Sequence, residues 1–232
     1  MNLYTTHAKK FSNSRAYPWK GWGRLTEYID NKPLSILDIG CGNGRFLDFL
    51  EEKHIDVKSY TGIDNSKELL EIAIDNTKNT NASKKFIEID LNDSEWSRKL
   101  NDEYDLIVCF GVMHHLENNK ARENVYNSVN ILLHSMGIFI NTFWQFAAIE
   151  GYVESHKLEE SNIAYNEVSL GENDYLLTFG KDNSTYRFCH FSNEDEIRLI
   201  ESESNLLLVD SFFSDGKEDR MNLYKIYKKD VI

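Results

Sequence analysis

An α/β fold with an open, mostly parallel sheet follows from three features of this chain. Short apolar runs recur that end in glycine or an acid, helix-period segments lie between them, and a glycine-rich turn joins the first run to the first helix. Continuous apolar runs of this length read as strands buried on both faces, which is the environment of a parallel sheet covered by helices.

Residues 1–30 precede the first strand as an arm. Lys9, Lys10, Arg15, Lys20 and Arg24 make residues 1–24 +5 with no acid, although the whole chain carries −12, leaving −17 for the rest. Tyr17, Pro18, Trp19 and Trp22 form an aromatic cluster, and Trp22, Leu25, Tyr28 and Ile29 fit one helix face. Arg15, set among Ser12, Ser14 and aromatic residues, suits an anionic group. Such an arm meets a polyanion locally while the field of the acidic body opposes it.

The first strand, with Ile36, Leu37 and Ile39, breaks into Asp38-Ile39-Gly40-Cys41-Gly42-Asn43-Gly44, and Phe46, Leu47, Phe49 and Leu50 give the following helix face. Glycine at every second position lets the backbone turn sharply and lie directly against a ligand. A second strand, Ser59 to Ile63, ends at Asp64-Asn65, and Ser66 caps a helix bearing Leu69, Leu70, Ala73 and Ile74. After a polar loop, Asn76 to Lys84, the residues Phe86, Ile87 and Ile89 make a third strand ending at Asp90-Leu91. Asp93 to Leu100 reads as a short helix with Trp96 and Leu100 inward, and Tyr104 to Phe110 as the fourth strand.

Lys120 to His134 reads as an amphipathic helix, and Gly137 to Trp144 as the fifth strand. Residues 145–190 then depart from the pattern, with a helix near Ile149 to Glu160 and β-like runs at Tyr175 to Phe179 and Tyr186 to Phe191. An insertion there covers the ligand face, with Arg187 and His190 placed to meet a substrate. Asn193 with Glu196 forms a capping box for a helix whose inner face holds Ile197 and Ile200. Leu206 to Phe213 and Asn222 to Tyr227 close as a hairpin, so the last strand runs antiparallel.

The glycine loop is not a dinucleotide fingerprint, because Arg45 stands where the third glycine is required, and it lacks the Gly-Lys-Ser/Thr ending of a P-loop. With no apolar run long enough to span a bilayer and no signal segment, the expected compartment is cytoplasmic. Cys41, Cys109 and Cys189 are far apart and lack metal-ligand spacing. The adjacent His114 and His115 cannot both face one metal in a regular element, so no metal site is expected. One of them, His115, points from the end of the fourth strand toward the reacting centre. Residues 1–232 are read as one domain.

The pattern Asp38-x-Gly40-x-Gly42-x-Gly44, with an acid about twenty residues on at Asp64, resembles motif I and its partner acid in class I S-adenosylmethionine-dependent methyltransferases. That resemblance implies a Rossmann-like, seven-stranded class I methyltransferase sheet with the last strand antiparallel and a cap-like insertion after the fifth strand. It implies S-adenosylmethionine as cofactor, S-adenosylhomocysteine as product, and a cofactor set of Asp38, Gly40, Cys41, Gly42, Gly44, Asp64, Asn65, Asp90, Leu91 and Phe110. Asp64 would accept the ribose hydroxyls, Asp90 the adenine amine, and Leu91 would pack on the ring.

Four further segments are similar to one subgroup. They are Phe11-Ser12-Asn13-Ser14-Arg15 with Tyr17-Pro18-Trp19, Val112-Met113-His114-His115, Tyr186-Arg187-Phe188-Cys189-His190-Phe191, and Asp219-Arg220-Met221-Asn222-Leu223-Tyr224. Together they resemble the transfer-RNA wobble-uridine carboxymethyl methyltransferases. The resemblance implies esterification of the carboxylate of a 5-carboxymethyl-type wobble uridine, with Arg15, His115 and Arg187 as catalytic candidates. Tyr17, Trp19 and His190 are substrate-binding candidates, tRNA the partner, and a small activator protein a possible second partner. A small-molecule carboxyl or O-methyltransferase, and a non-catalytic S-adenosylmethionine-binding module, are the alternatives.

Overall fold

The computed structural model describes residues 8, 12, 17–29, 32–159, 162, 168–178 and 185–230, and Arg15 lies outside the described residues. β1 (Leu34–Ile39) pairs in parallel with β2 (Val57–Asp64) on one side and β4 (Tyr104–Cys109) on the other. β3 (Ser83–Glu88) extends the sheet beyond β2, and β5 (Leu133–Trp144) extends it beyond β4. β6 (Asp174–Thr178) and β7 (Tyr186–His190) form a separate two-stranded antiparallel sheet. β9 (Asn222–Lys229) then inserts antiparallel between β5 and β8 (Leu206–Ser214), giving the order β3-β2-β1-β4-β5-β9-β8. The seven-stranded α/β sheet with its last strand reversed is therefore present.

Period-2 alternation sends successive side chains to opposite faces of this sheet. Ile36, Leu106, Val108 and Ile140 bury one face against Phe46, Leu47, Phe49 and Leu50 of α2 (Arg45–Glu52) and against Trp22 and Leu25 of the one-turn α1 (Trp22–Leu25). Leu37, Ile39, Ile107 and Phe139 bury the other face against Val125 and Val129 of α4 (Asn119–Leu132), with Ile197 and Ile200 of α6 (Glu194–Glu203). α3 (Lys67–Asn76) starts at its Ser66 cap and buries Leu69, Leu70 and Ala73, while Ile74 faces solvent. The insertion carries α5 (Tyr152–His156) ahead of β6 and β7.

Several boundaries differ from the sequence reading. From Trp22 the arm forms the one-turn α1 and continues in turns to Tyr28, whose hydroxyl donates to Asp210. β3 begins at Ser83, inside the expected loop, because an edge strand tolerates the polar Ser83-Lys84-Lys85. Asp93 to Leu100 holds only a 3₁₀ turn, Trp96–Lys99. The expected helix to His134 stops at Leu132, and β5 starts at once with Leu133. The pairing jumps from Tyr104↔Leu133 to Leu106↔Ile138, so the residues expected to be a turn bulge within the strand. A Cβ at Gly137 would come within 2.7 Å of the Leu133 side chain, which explains glycine there. Among the described residues, no helix is long and apolar enough to cross a membrane.

Candidate active site

The strand order reverses between β1 and β4, and ligands of open α/β sheets bind at the carboxyl ends of the strands at such a switch point. A cleft of about 1260 Å³ opens there. The loop after β1 is fastened by Gly40 and Cys41 N–H, both donating to the Ile63 carbonyl at 2.8 and 2.9 Å. Gly40, Gly42 and Gly44 have φ of +70°, +53° and +79°, the left-handed region. A Cβ at Gly40 would lie 2.2 Å from Val112 Cγ2, whereas one at Gly42 would enter open space. Gly44 does not line the cleft: a Cβ there would meet Ala73 and Thr77, so it lets α2 pack against α3.

Asp64 ties this loop to the start of α3, using one oxygen for each. Oδ2 accepts from Gly42 N–H at 3.0 Å and Oδ1 from Ser66 N–H at 2.9 Å, while the residue still lines the cleft. Burial raises its pKa, and the backbone donors oppose that rise. Asp38 is buried and accepts from the Tyr60 hydroxyl. Burial, opposed by that hydrogen bond, pushes its carboxyl up to about 7.

A folded-state pKa above the unfolded value means that the native state holds more protons between pH 4 and 7. Stability therefore falls as pH rises across that window, by at most about 1.4 kcal/mol per unit from this group. Urea denaturation at several pH values is expected to show this slope, and Asp38→Asn is expected to flatten it.

The remaining cofactor candidates also border the cleft. Asn65 follows Asp64, exposed Asp90 and buried Leu91 follow β3, and Phe110 follows β4. Asp90 Oδ1 accepts from Asn92 N–H and Nδ2, both at 2.9 Å. Phe110 belongs to an aromatic wall with Trp19, Trp22, Phe46 and Tyr224.

On the opposite side, His115 sits on a 3₁₀ turn, Met113–His115, with Nδ1 3.3 Å from the Phe188 carbonyl of β7. Arg187 lines the same cleft, its guanidinium 4.8 Å from the centre of the Trp144 ring.

Two substrate-binding candidates lie elsewhere. His190 is three residues from Arg187 and so projects from the other face of β7. It is buried outside the cleft lining, with Nδ1 2.7 Å from Asp174 and Nε2 3.2 Å from Glu196, and it ties the β6–β7 sheet to the start of α6. Tyr17 is 84% exposed and also outside the lining, and its carbonyl accepts from Arg45 Nη1 at 3.1 Å. Trp19 does line the cleft.

The premise used against a metal also fails. His114 and His115 occupy a turn, and their ligand atoms lie within 4.8 Å of each other and of Cys189 Sγ.

Three contributors were not foreseen. Arg45 lines the cleft beneath Trp19 and Trp22, 5.2 and 5.1 Å from their rings, and burial lowers its pKa to about 10. Trp144 forms the cleft wall behind Arg187. The β8–β9 turn brings Asp215, whose carboxylate accepts from Gly21 N–H, Asn222 Nδ2 and the Tyr224 hydroxyl. The segment around Asn222 and Tyr224 had signalled its importance, but Asp215 has no local motif to mark it.

The donor set fits an adenosyl sulfonium ligand. Bare backbone at Gly42 faces open space, and Asp38, Asp64 and Asp90 offer carboxylates to hydroxyl, amine and cationic groups. The cleft exceeds the ~300–1,000 Å³ usual for one small ligand and has room for an acceptor beside it.

Comparison with known proteins agrees. Residues 36–137 match the model of a methyltransferase domain. A protein of Encephalitozoon cuniculi (strain GB-M1), a methyltransferase by name, is 23% identical over 212 residues, covering 90% of this chain and 87% of its own. An S-adenosylmethionine-dependent methyltransferase from Clostridium acetobutylicum ATCC 824 superposes with a TM-score of 0.67 at 15% identity, covering 98% of this chain and 99% of its own. A complex between the Haloferax volcanii Trm112 methyltransferase activator and a methyltransferase matches with a TM-score of 0.66 at 12% identity, covering 99% of this chain and 97% of that one. The chain has the class I methyltransferase fold, and its residues 36–137 match a methyltransferase domain, which marks it as an enzyme.

Proposed function

We propose that this S-adenosylmethionine-dependent methyltransferase esterifies the carboxylate of a 5-carboxymethyl-type wobble uridine in tRNA. The observation that carries the reading is the Arg187 guanidinium, held over Trp144 in the same cleft as the glycine loop. A planar cationic fork of this kind binds a carboxylate through two parallel hydrogen bonds, and the neighbouring aromatic surface suits a base.

The cofactor supplies an electrophilic methyl group on a sulfonium. A carboxylate with a pKa near ~4 is already ionised at neutral pH, so the acceptor needs no strong general base. Asp64 and the glycine loop hold the donor end of the cleft, and Arg187 orients the acceptor oxygen, with His115 beside it. The cleft walls, Trp19 and Trp144 included, exclude water, so the rate gain comes from in-line placement. Arg15 would add charge from the arm. The domain is proposed to span residues 1–232, with residues 145–190 as its acceptor side and the cytoplasm as its compartment.

An enzyme of net charge −12 holds a polyanion poorly unless its basic arm or a second protein contributes. The likeness to a methyltransferase seen with the Trm112 activator supports a small activator as that second protein. The same acidity favours a second reading, a small carboxylic acid as acceptor. Incubation with labelled S-adenosylmethionine and bulk tRNA, then mild alkali, separates the two. Label released from tRNA as methanol supports the ester, and label found only in small acids, or alkali-stable in tRNA, overturns it.

A further inference from the structure

We infer that His114, His115 and Cys189 form a binding site for one zinc-class metal ion at the junction of the β4 tip and the insertion. Their ligand atoms lie within 4.8 Å of one another, and they come from two elements, the 3₁₀ turn after β4 and strand β7. Two imidazoles and a thiolate are the donor set that borderline-soft divalent metals prefer over oxygen-seeking ones.

A second observation points the same way. His115 Nδ1 lies 3.3 Å from the Phe188 carbonyl. Donation of Nδ1–H to that carbonyl leaves Nε2 with the lone pair, and metal-ligating histidines characteristically donate their other ring nitrogen to a carbonyl or carboxylate. Trp144 packs 4.9 Å from the His114 ring and shields the cluster from one side.

Cys189 is buried and in no disulfide. On binding, the S–H bond breaks, an S–metal bond forms and the proton leaves to solvent. Cys189 is fully buried, whereas both histidines line the cleft. Three protein ligands arranged this way leave the fourth position of a tetrahedral ion toward the cleft, the pattern of catalytic rather than structural zinc. The ion would rivet the β6–β7 sheet to the end of β4. This inference does not depend on the identity of the acceptor, and its readout is metal, not methyl transfer.

The test is equilibrium dialysis of the full chain against Zn²⁺, with metal content read by mass spectrometry, and Co²⁺ substitution followed by absorption. The expected result is one zinc per chain, with a cobalt spectrum showing tetrahedral ligand-field bands and a thiolate charge-transfer band. Cys189→Ser and His114→Ala are each expected to weaken binding at least ~10-fold, while Cys109→Ser binds as the unsubstituted chain does. No retained zinc, equal zinc in Cys189→Ser and the unsubstituted chain, or a cobalt spectrum without thiolate charge transfer would each overturn the site. The cobalt spectrum of the unsubstituted chain decides the matter even if a variant fails to fold.

Discussion

Asp64→Ala is expected to raise the dissociation constant for S-adenosylmethionine at least about a hundredfold, to the edge of detection by calorimetry. The side chain does two jobs at once. In the proposed arrangement it offers an acceptor to the ligand, and it accepts the N–H of Gly42 at 3.0 Å and of Ser66 at 2.9 Å. Its removal orphans two sheltered backbone donors, each worth about 1–3 kcal/mol, and so releases the loop that must lie against the ligand. Every 1.4 kcal/mol is a factor of ten in affinity. Asp64→Asn keeps one accepting oxygen and should fall between. An unchanged dissociation constant in the alanine variant would remove this loop from cofactor binding altogether.

The second large effect is expected from Arg187→Ala, and it has the opposite signature. Cofactor affinity should stay within about twofold, because Arg187 sits across the cleft with Trp144 and touches none of the glycine loop contacts described above. Acceptor kcat/KM should fall tenfold to a hundredfold, the worth of one charged hydrogen-bonding group at about 1.5–3 kcal/mol. Arg187→Lys should recover only part of the loss, since an ammonium lacks the planar fork and stacks less well on Trp144. Equal losses of cofactor binding in the Asp64 and Arg187 variants would refute this division of the cleft into donor and acceptor ends.

The parts of the fold that were legible in the sequence are those whose physics is local. β1, β2 and β4 announce themselves because strands buried on both faces need unbroken apolar runs, and the Ser66 and Asn193 caps write their own helix starts. The start of β3 was hidden because an edge strand can afford Ser83-Lys84-Lys85, and the start of β5 because a bulge absorbed what read as a turn. At the site, glycines and acids at strand ends were visible, but which face of β7 each residue occupies was not. Arg187 and His190 look equivalent in a string of letters, yet only the first reaches the cleft. Asp215, whose importance lies in holding Gly21, Asn222 and Tyr224 together, was beyond local reading because its contact with Gly21 spans 194 positions. The juxtaposition of His114 and His115 with Cys189 is likewise a product of tertiary packing.

The placement of β9 between β5 and β8 bears on how the protein matures on the ribosome. β8 has no seat in the sheet until the strand made after it arrives, so Leu207, Leu208 and Val209, already open to solvent in the finished protein, wait beside an unpaired backbone during synthesis. The clasp of Asp215 on Gly21 cannot be anchored by Asn222 and Tyr224 any earlier. A nascent chain halted before residue 222 would thus carry an intact glycine loop but a gaping wall, and the capacity to use an acceptor would emerge only with the final strand.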